Sequence, residues 1–378
     1  MKKLTKTLLV SAVLAATSAV YAQHLPTSNN RPLMPRGSLL GEGEYFRYHV
    51  PATKRGRVLD TREPTYAESR AIEDIQRQFE GLSTVAYLLG DGDKIVKVGY
   101  KDGATEFSTF MSASVDKTVT AMSAGVAICD GKISLNTKAK DVLPELTGTD
   151  IGESTLRDNL TMSSGATRAF DDSQSLTREE RQDLSAARTS WMELLKGRLG
   201  KQQGWQKPGD TFSYKSQDPI LVGMMVSAAY GKGGKDFREW QTEHFFSKVG
   251  TGDRRYHGRD RFGYAWTVGD SRMSMNDWAR FAVFVQESRK EPGCYGDFVR
   301  EATTRQIRTD RRFVPSYHGY GYFTWVDSMQ IPGTYAAIGY GGQTIIWNTK
   351  NDKFFIAFST NSIMPELHGM AKLWFERN

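Results

Sequence analysis

The chain has 378 residues, which is enough for a large hydrophobic core in one compound domain of two lobes. Its formal charge is +7, and the basic residues are scattered in small clusters along the chain. A nucleic-acid-binding surface needs basic residues gathered on one face, so we do not expect a nucleic-acid partner.

The first 22 residues have the pattern of a secretory signal peptide. Lys2, Lys3 and Lys6 precede an apolar run over 8–20, and Ala22 ends a cleavage site of small residues. The run is too short and wrongly flanked for a membrane anchor. Removing residues 1–22 takes away three lysines and lowers the formal charge from +7 to +4. We therefore expect a periplasmic or secreted protein without a membrane anchor. The sequence does not indicate its oligomeric state.

Residues 23–62 are rich in Pro, Gly, Asn and Arg without a clear period, and we expect an extended lead-in there. A helix is predicted from Pro64, because apolar residues then recur on one face. Residues 84–89 and 94–100 predict two strands. The sequence Gly-Asp-Gly-Asp at 90–93 is a strong turn signal, so the two strands should form a hairpin.

Helical patterns dominate the middle of the chain, and strand patterns return near its end. Helices are predicted over 114–129, 154–162, 185–199, 218–230, 235–246, 274–288 and 365–376. Aromatic and β-branched runs predict strands at 320–327, 335–338, 344–348 and 354–359. This order indicates an α+β fold: an antiparallel sheet built from both termini, flanked by terminal helices, with an inserted all-helical lobe. Within a domain over 63–378, we place the α/β lobe at about 63–113 and 300–378, and the helical lobe at about 114–299.

Ser114 and Lys117 have S-x-x-K spacing where a strand-like run at 107–111 gives way to an apolar helix. Residues three apart on a helix share one face, so the hydroxyl and the amine can meet. Burial lets a lysine lose its proton, and it can then accept the proton of the serine. Ser114 is therefore a candidate nucleophile, with an ordinary serine at a helix start as the alternative.

The two cysteines, Cys129 and Cys294, are too few for a disulfide framework in a chain of this size. Cys129 follows an apolar helix and is expected to be a packed, inert thiol, although a bridge to Cys294 is possible in an exported protein. The six histidines are dispersed, without metal-ligand spacing. We expect no metal and no cofactor. A Ser-His-Asp triad stays open, because its members need not be neighbours in sequence.

Three further segments follow the S-x-x-K motif in a fixed order: TLRDNLTMSSG at 155–165, PGDTFSYKS at 208–216 and YGGQ at 340–343. Together the four resemble the motifs of the serine β-lactamase-like hydrolases. That superfamily includes class C β-lactamases, DD-peptidases, related esterases and 6-aminohexanoate-dimer hydrolase. The resemblance covers about residues 65–377 and implies the α+β fold of the superfamily.

The resemblance also implies roles for individual residues. Ser114 would be the nucleophile and form an acyl-enzyme, and Lys117 would accept its proton or hold a charge that keeps a neighbour deprotonated. Tyr214 would hydrogen-bond both and pass the proton to the leaving group, its phenol pKa lowered by the adjacent cation. The backbone N–H groups of Ser114 and Gln343 would form the oxyanion hole.

The substrate-binding residues implied by the resemblance depart from the β-lactamase and DD-peptidase pattern. Ser216 replaces the asparagine of Y-x-N, and Tyr340 stands where those enzymes have a lysine or histidine. Gly341 and Gly342 would let substrate approach the strand without a Cβ in the way. The cation that helps to hold a substrate carboxylate is therefore missing, which favours the esterase and 6-aminohexanoate-dimer hydrolase branch.

The loop after Gly165 resembles that branch as well. Phe170 and Asp171 lie in it, and an acidic residue there could contact a substrate amine, although a solvated loop is the simpler interpretation. We thus predict an exported serine hydrolase that cleaves a small ester or linear amide. The alternatives are a true β-lactamase or DD-peptidase and, in another class, a non-catalytic binding or sensor protein with this fold.

Overall fold

The computed structural model describes residues 46–53, 56–166, 176–202, 206–309 and 316–376. Phe170 and Asp171, predicted to contact substrate, lie outside the described residues. The elements below are numbered in chain order over these ranges.

An eight-stranded antiparallel sheet forms the centre of the α/β lobe. Its strands, in spatial order β3-β2-β12-β11-β10-β9-β8-β7, come from residues 84–100 and 307–359. Their bounds are β2 Thr84–Asp91, β3 Lys94–Tyr100, β7 Ile307–Arg308, β8 Tyr317–Tyr320, β9 Trp325–Ser328, β10 Thr334–Gly339, β11 Gln343–Asn348 and β12 Lys353–Ser359. β12 pairs with β2, so both ends of the chain build one sheet and the predicted α+β class is confirmed.

One predicted strand is wrong in detail. The run 320–327 is not a single strand, because β8 ends at Tyr320 and β9 begins at Trp325, opposite it in an antiparallel hairpin. Phe323 in the connection has φ +48°, which a continuous strand does not allow. A Cβ on Gly321 would lie 2.0 Å from the Ala302 carbonyl oxygen, so the turn packs directly against the main chain of Ala302.

A second, four-stranded sheet was not predicted. Its order is β1-β5-β6-β4, with bounds β1 Phe46–Val50, β4 Thr109–Met111, β5 Arg255–Arg259 and β6 Arg272–Ser274. β1 lies inside the predicted lead-in and pairs with β5, more than 200 residues further along the chain. β1 alternates apolar and polar residues over only five positions, and β5 contains two arginines, a histidine and a glycine, so neither run stands out as a strand in sequence.

The helices form the second lobe and cover the large sheet. Their bounds are α1 Tyr66–Gly81, α2 Val115–Cys129, α3 Ala139–Val142, α4 Leu156–Leu160, α5 Arg178–Ser185, α6 Trp191–Lys196, α7 Gln217–Ala229, α8 Phe237–Gln241, α9 Ser247–Val249, α10 Met275–Lys290, α11 Cys294–Ala302 and α12 Met364–Phe375. Three short 3₁₀ turns lie at Pro144–Leu146, Ile151–Glu153 and Arg198–Gly200, and a π-helical turn, Thr242–Phe246, continues α8. The predicted helix 235–246 therefore changes its hydrogen-bonding pattern halfway.

Helix α2 is the central element of the core. Its residues from Val115 to Ala127 are buried on every side, and it packs against α7, α11 and β10. Cys129 at its end forms a disulfide with Cys294, the first residue of α11. The expectation that Cys129 is a packed thiol is therefore wrong, because the fold brings the two Cα atoms to 5.7 Å across 165 residues.

Candidate active site

Ser114 lies at the start of α2, after a tightly packed turn. Ala113 has φ +40°, an uncommon value for a residue with a side chain. Two glycines press on this turn: a Cβ on Gly339 would lie 2.5 Å from the Ser112 carbonyl oxygen, and one on Gly269 would lie 3.0 Å from the Ala113 carbonyl carbon. The main chain just before Ser114 is therefore closely packed between Gly339 and Gly269.

Lys117 reaches the same point from the next turn of the helix. Its Nζ lies 2.6 Å from the Ser114 Oγ and 3.2 Å from the Val268 carbonyl oxygen. The residue is only 2% exposed, so Lys117 is not a solvated lysine on the helix surface. Burial lowers the pKa of the Lys117 amine from 10.5 to about 7, against the opposing effect of the Asp116 charge. An uncharged amine, able to accept a proton, is thus available at neutral pH.

Tyr214 completes the contact from the loop before α7. Its side chain hydrogen-bonds that of Ser114, and Lys117 Nζ lies 4.9 Å from the centre of its ring. Trp325 stacks on the ring, with centroids 5.6 Å apart and an interplanar angle of 25°. The fold therefore brings the phenol of Tyr214, which is distant in sequence, to the hydroxyl of Ser114 and the amine of Lys117.

The predicted direction of the Tyr214 pKa is wrong. Burial raises the pKa of this phenol, and the hydrogen bond from Ser114 only partly opposes the rise. Desolvation disfavours phenolate in the same way that it disfavours ammonium. At neutral pH the phenol of Tyr214 therefore keeps its proton and can donate a hydrogen bond. The amine of Lys117, in contrast, can be uncharged and can accept a proton.

Residues Tyr340, Gly341 and Gly342 form the turn between β10 and β11. The two glycines have φ +77° and +90°, and a Cβ on Gly342 would lie 2.8 Å from the Ser362 carbonyl oxygen. The turn geometry alone thus accounts for both glycines. Tyr340 is 59% exposed and lies at the surface.

Gln343, the first residue of β11, lies beside the turn at residues 112–114. A Cβ on Gly339 would be 2.9 Å from the Ala113 Cβ and 3.0 Å from the Gln343 Cβ, so Gly339 separates the two. The Gln343 amide donates to the carbonyl oxygens of Tyr340 at 3.1 Å and Ser359 at 2.7 Å. Because its side chain is anchored in the sheet, a contact from Gln343 to substrate would have to come from the backbone.

The lysine of the 208–216 segment, Lys215, is buried in an ion pair. Lys215 Nζ lies 3.3 Å from Asp218 Oδ2, and both side chains are completely buried. Ser164 of the 155–165 segment donates to the same carboxylate at 2.6 Å. Ser216, predicted to bind substrate, is 1% exposed at the start of α7. Lys215 is therefore not a surface cation for a substrate.

Sequence reasoning missed several partners of the three central residues. Val268 acts through a carbonyl oxygen, which any residue type supplies, so no signal in the sequence could identify it. Trp325 is one of eight tryptophans, and nothing in its sequence context distinguishes it from the others. Asp218 could have been suspected, because it is an acidic residue at the start of an apolar helix, three residues after Lys215.

Two kinds of site have no support among the described residues. No group of three or more His, Cys, Asp or Glu side chains there could hold a metal ion. The helices of the same ranges include none long and apolar enough to cross a membrane.

Comparison with known proteins identifies the family. A family model described as Beta-lactamase matches residues 70–373. No curated protein matches the chain in sequence. Among solved structures, a Bacillus anthracis protein named as a candidate 6-aminohexanoate-dimer hydrolase superposes with TM-score 0.68 at 16% identity, covering 88% of this chain and 89% of its own.

Two further structures share the fold. A candidate β-lactamase from Bacteroides dorei has TM-score 0.62 at 17% identity, covering 82% of this chain and 98% of its own. A β-lactamase from Mycobacterium bovis has TM-score 0.54 at 16% identity, covering 79% and 97%. Identities this low establish the fold alone, whereas the family model spans most of the chain. The chain therefore belongs to the β-lactamase family and has the hydrolase fold of that family.

Proposed function

We propose that this protein is an exported serine hydrolase that cleaves a small ester or linear amide through an acyl-enzyme on Ser114. The observation that carries the proposal is the 2.6 Å contact between Ser114 Oγ and the Nζ of Lys117, an amine that is 2% exposed. A buried amine next to a hydroxyl is the arrangement that activates a serine without a histidine.

In the first step, Ser114 Oγ attacks the carbonyl carbon of the substrate, and the hydroxyl proton moves to the uncharged Nζ of Lys117. The carbonyl oxygen becomes an oxyanion, which the backbone N–H groups of Ser114 and Gln343 would stabilise. When the tetrahedral intermediate collapses, the bond to the leaving group breaks. The leaving alcohol or amine takes up a proton from Lys117 by way of the Tyr214 hydroxyl, and water then hydrolyses the acyl-enzyme.

The described residues favour a substrate that is not held by a carboxylate. Tyr340 stands where β-lactamases and DD-peptidases have a cation, and Lys215, the nearest lysine of the second motif, is buried against Asp218. A substrate carboxylate would therefore lack the charge partner that those enzymes supply. The name of the Bacillus anthracis structure refers to a 6-aminohexanoate dimer, which agrees with a linear substrate.

Export rests on the signal-peptide pattern of residues 1–22. The disulfide between Cys129 and Cys294 supports it, because such bonds persist mainly in oxidising compartments.

The test is labelling of the mature protein with a fluorophosphonate, followed by peptide mapping. We expect one adduct, on Ser114, and none in Ser114→Ala. Ser112→Ala is a matched control, because the Ser112 hydroxyl lies two residues away and is buried without a hydrogen-bond partner among the described residues. It should label like the wild type. A folded wild-type protein without an adduct would favour a binding role instead.

The substrate class is tested by comparing p-nitrophenyl esters with nitrocefin. We expect ester hydrolysis with slow or absent nitrocefin turnover. Rapid nitrocefin turnover would show that the protein is a β-lactamase or DD-peptidase in activity as well as in family.

A further inference from the structure

An ion pair is buried inside the S-x-x-K motif itself. Asp116, between the nucleophile and the lysine, is completely buried, and its partner Arg238 on α8 is 1% exposed. Arg238 Nη2 lies 2.7 Å from Asp116 Oδ2, and Nη1 lies 3.4 Å from Oδ1. Two charges removed from water in this way are costly to bury, and such pairs are weak evidence for a purely stabilising role.

The pair is tied to the segment that carries the second contact of Lys117. We call residues 266–271 the backing segment. Arg238 donates to the Trp266 carbonyl oxygen at 2.5 Å, and Ser271 Oγ donates to Asp116 Oδ1 at 2.6 Å. Between these two anchors, the Val268 carbonyl oxygen receives Lys117 Nζ. The ion pair thus fixes both ends of the segment that places the lysine.

The backing segment also contacts the turn at residues 112–114, since the Ser112 N–H donates to the Ser271 carbonyl oxygen at 2.8 Å. Gly269 packs against Ala113 in between. Asp116 is therefore connected, through one segment, to the main chain that precedes Ser114 and to the Lys117 amine that follows it.

The charge of Asp116 is the second consideration. A lysine accepts a proton only when it is uncharged, and a carboxylate on the neighbouring residue favours the charged ammonium. The Asp116 charge indeed acts to raise the pKa of Lys117, against the effect of burial. A cation bound to that carboxylate compensates it, and Arg238 is that cation.

Other groups around α2 do not replace Arg238. Asp218 on α7 is paired with Lys215, and burial together with the charges of Arg238 and Arg255 lowers the pKa of His257 well below its usual range, so that it is uncharged at neutral pH. The remaining titratable groups on the described elements that pack against α2 are Tyr295, Asp297, Arg300 and Glu301 of α11, Tyr335 of β10, and Glu243 and His244 of the π-helical turn. Arg300 is paired with Asp297 on the same helix, and burial raises the pKa values of Tyr295 and Tyr335, as it does that of Tyr214 in the loop before α7.

We propose that Arg238, acting through Asp116, is a positioning residue for proton transfer: it neutralises the Asp116 carboxylate and holds the backing segment, so that Lys117 stays uncharged beside Ser114. This inference rests on the proposed function. It assigns a reason for an aspartate inside the motif, where an unpaired carboxylate would oppose the chemistry.

The experiment measures the rate of Ser114 labelling by a fluorophosphonate as a function of pH. Arg238→Gln keeps hydrogen-bonding capacity but removes the charge, and we expect the acid limb of its profile to move up by about one pH unit or more. Arg238→Lys, which keeps the charge, should retain an acid limb close to that of the wild type. The double variant Asp116→Asn with Arg238→Gln removes both charges and should return the limb toward its wild-type position.

A merely structural role would lower the labelling rate at every pH and would not be reversed by the second substitution. Folded Arg238→Gln with an unchanged acid limb would overturn the proposal. If Arg238→Gln does not fold, Arg238→Lys and the double variant test the proposal. An acid limb displaced from that of the wild type in either variant, or failure of the double variant to fold, would count against the proposal. Wild-type protein without a Ser114 adduct would instead refute the proposed function, so the two failures are distinguishable.

Discussion

The buried state of Lys117 predicts that replacing it stabilises the protein. In the substitution Lys117→Met, an apolar chain of similar length occupies a site that is 2% exposed. The wild-type lysine must lose its proton to fold or be buried as a cation, and either costs free energy. The methionine has no such cost. Catalysis should be abolished at the same time, so stability and activity move in opposite directions.

The magnitude follows from the pKa of the amine. The difference between 10.5 and about 7, at about 1.36 kcal/mol for each pH unit, corresponds to about 4–5 kcal/mol of destabilisation at pH 7. The amine also makes two hydrogen bonds, to Ser114 and Val268, each with a net value of about 1 kcal/mol. We therefore expect Lys117→Met to raise the free energy of unfolding by about 2–3 kcal/mol at pH 7.

The stability difference between Lys117→Met and the wild type depends on pH. The unfolded chain keeps the Lys117 proton up to about pH 10.5, whereas the folded protein releases it at about pH 7. Between these values the unfolded state binds more protons, so the stability of the wild type rises with pH. The advantage of Lys117→Met should therefore be largest at or below pH 7 and should shrink toward pH 10.

Chemical denaturation at pH 7 and at pH 9.5 measures the difference. Lys353→Met is the matched control, because Lys353 is also buried but lies 3.0 Å from Glu68 Oε1 and 4.2 Å from the centre of the Trp374 ring. Its removal should destabilise the protein by about 1–3 kcal/mol. If Lys117→Met is less stable than the wild type at both pH values, Lys117 is not the uncharged, desolvated amine described above.

Three further predictions follow from single contacts. Tyr214→Phe keeps the ring on Trp325 but loses the hydroxyl, and kcat for a p-nitrophenyl ester should fall by about two orders of magnitude or more. Gly339→Ala places a Cβ 2.5 Å from the Ser112 carbonyl oxygen, so the folded protein should label with fluorophosphonate at least about tenfold more slowly. Replacing Cys129 and Cys294 by serine should lower the free energy of unfolding by about 2–5 kcal/mol, as measured by urea denaturation.

Each of these has a contrary outcome. If Tyr214→Phe has the kcat of the wild type, the Tyr214 hydroxyl takes no part in proton transfer. A Gly339→Ala protein that labels at the wild-type rate would mean that the turn before Ser114 tolerates displacement. A serine double variant as stable as the wild type would mean that the disulfide constrains the unfolded chain very little.

Elements whose signals are local were predictable from sequence. Helix α10 begins where Ser274 accepts a hydrogen bond from the Asp277 N–H, at the start of the helix predicted over 274–288. The 90–93 turn likewise joins β2 to β3. In such cases, the residues that determine the structure are neighbours in the chain.

Features that depend on distant pairing were not predictable. β1 is a run of five residues that the sequence does not distinguish from the irregular lead-in around it, and its partner β5 lies more than 200 residues further along the chain. Arg238 and Asp116 meet across 122 residues, and no property of either residue identifies the other.

The candidate site divides in the same way. The S-x-x-K spacing places Ser114 and Lys117 together on a helix, and the family resemblance supplied Tyr214. The direction of the Tyr214 pKa depends on how completely the fold excludes water around the phenol, which sequence does not reveal.

The most direct test of the account is the mass of the acyl-enzyme trapped from a p-nitrophenyl ester across a pH series. We expect the acyl group on Ser114, with a formation rate that rises through about pH 7 in the wild type. No acyl-enzyme should form in Lys117→Met. An acyl group on another residue, or a formation rate that rises only near the ordinary lysine pKa, would contradict the claim that a buried, uncharged Lys117 activates Ser114.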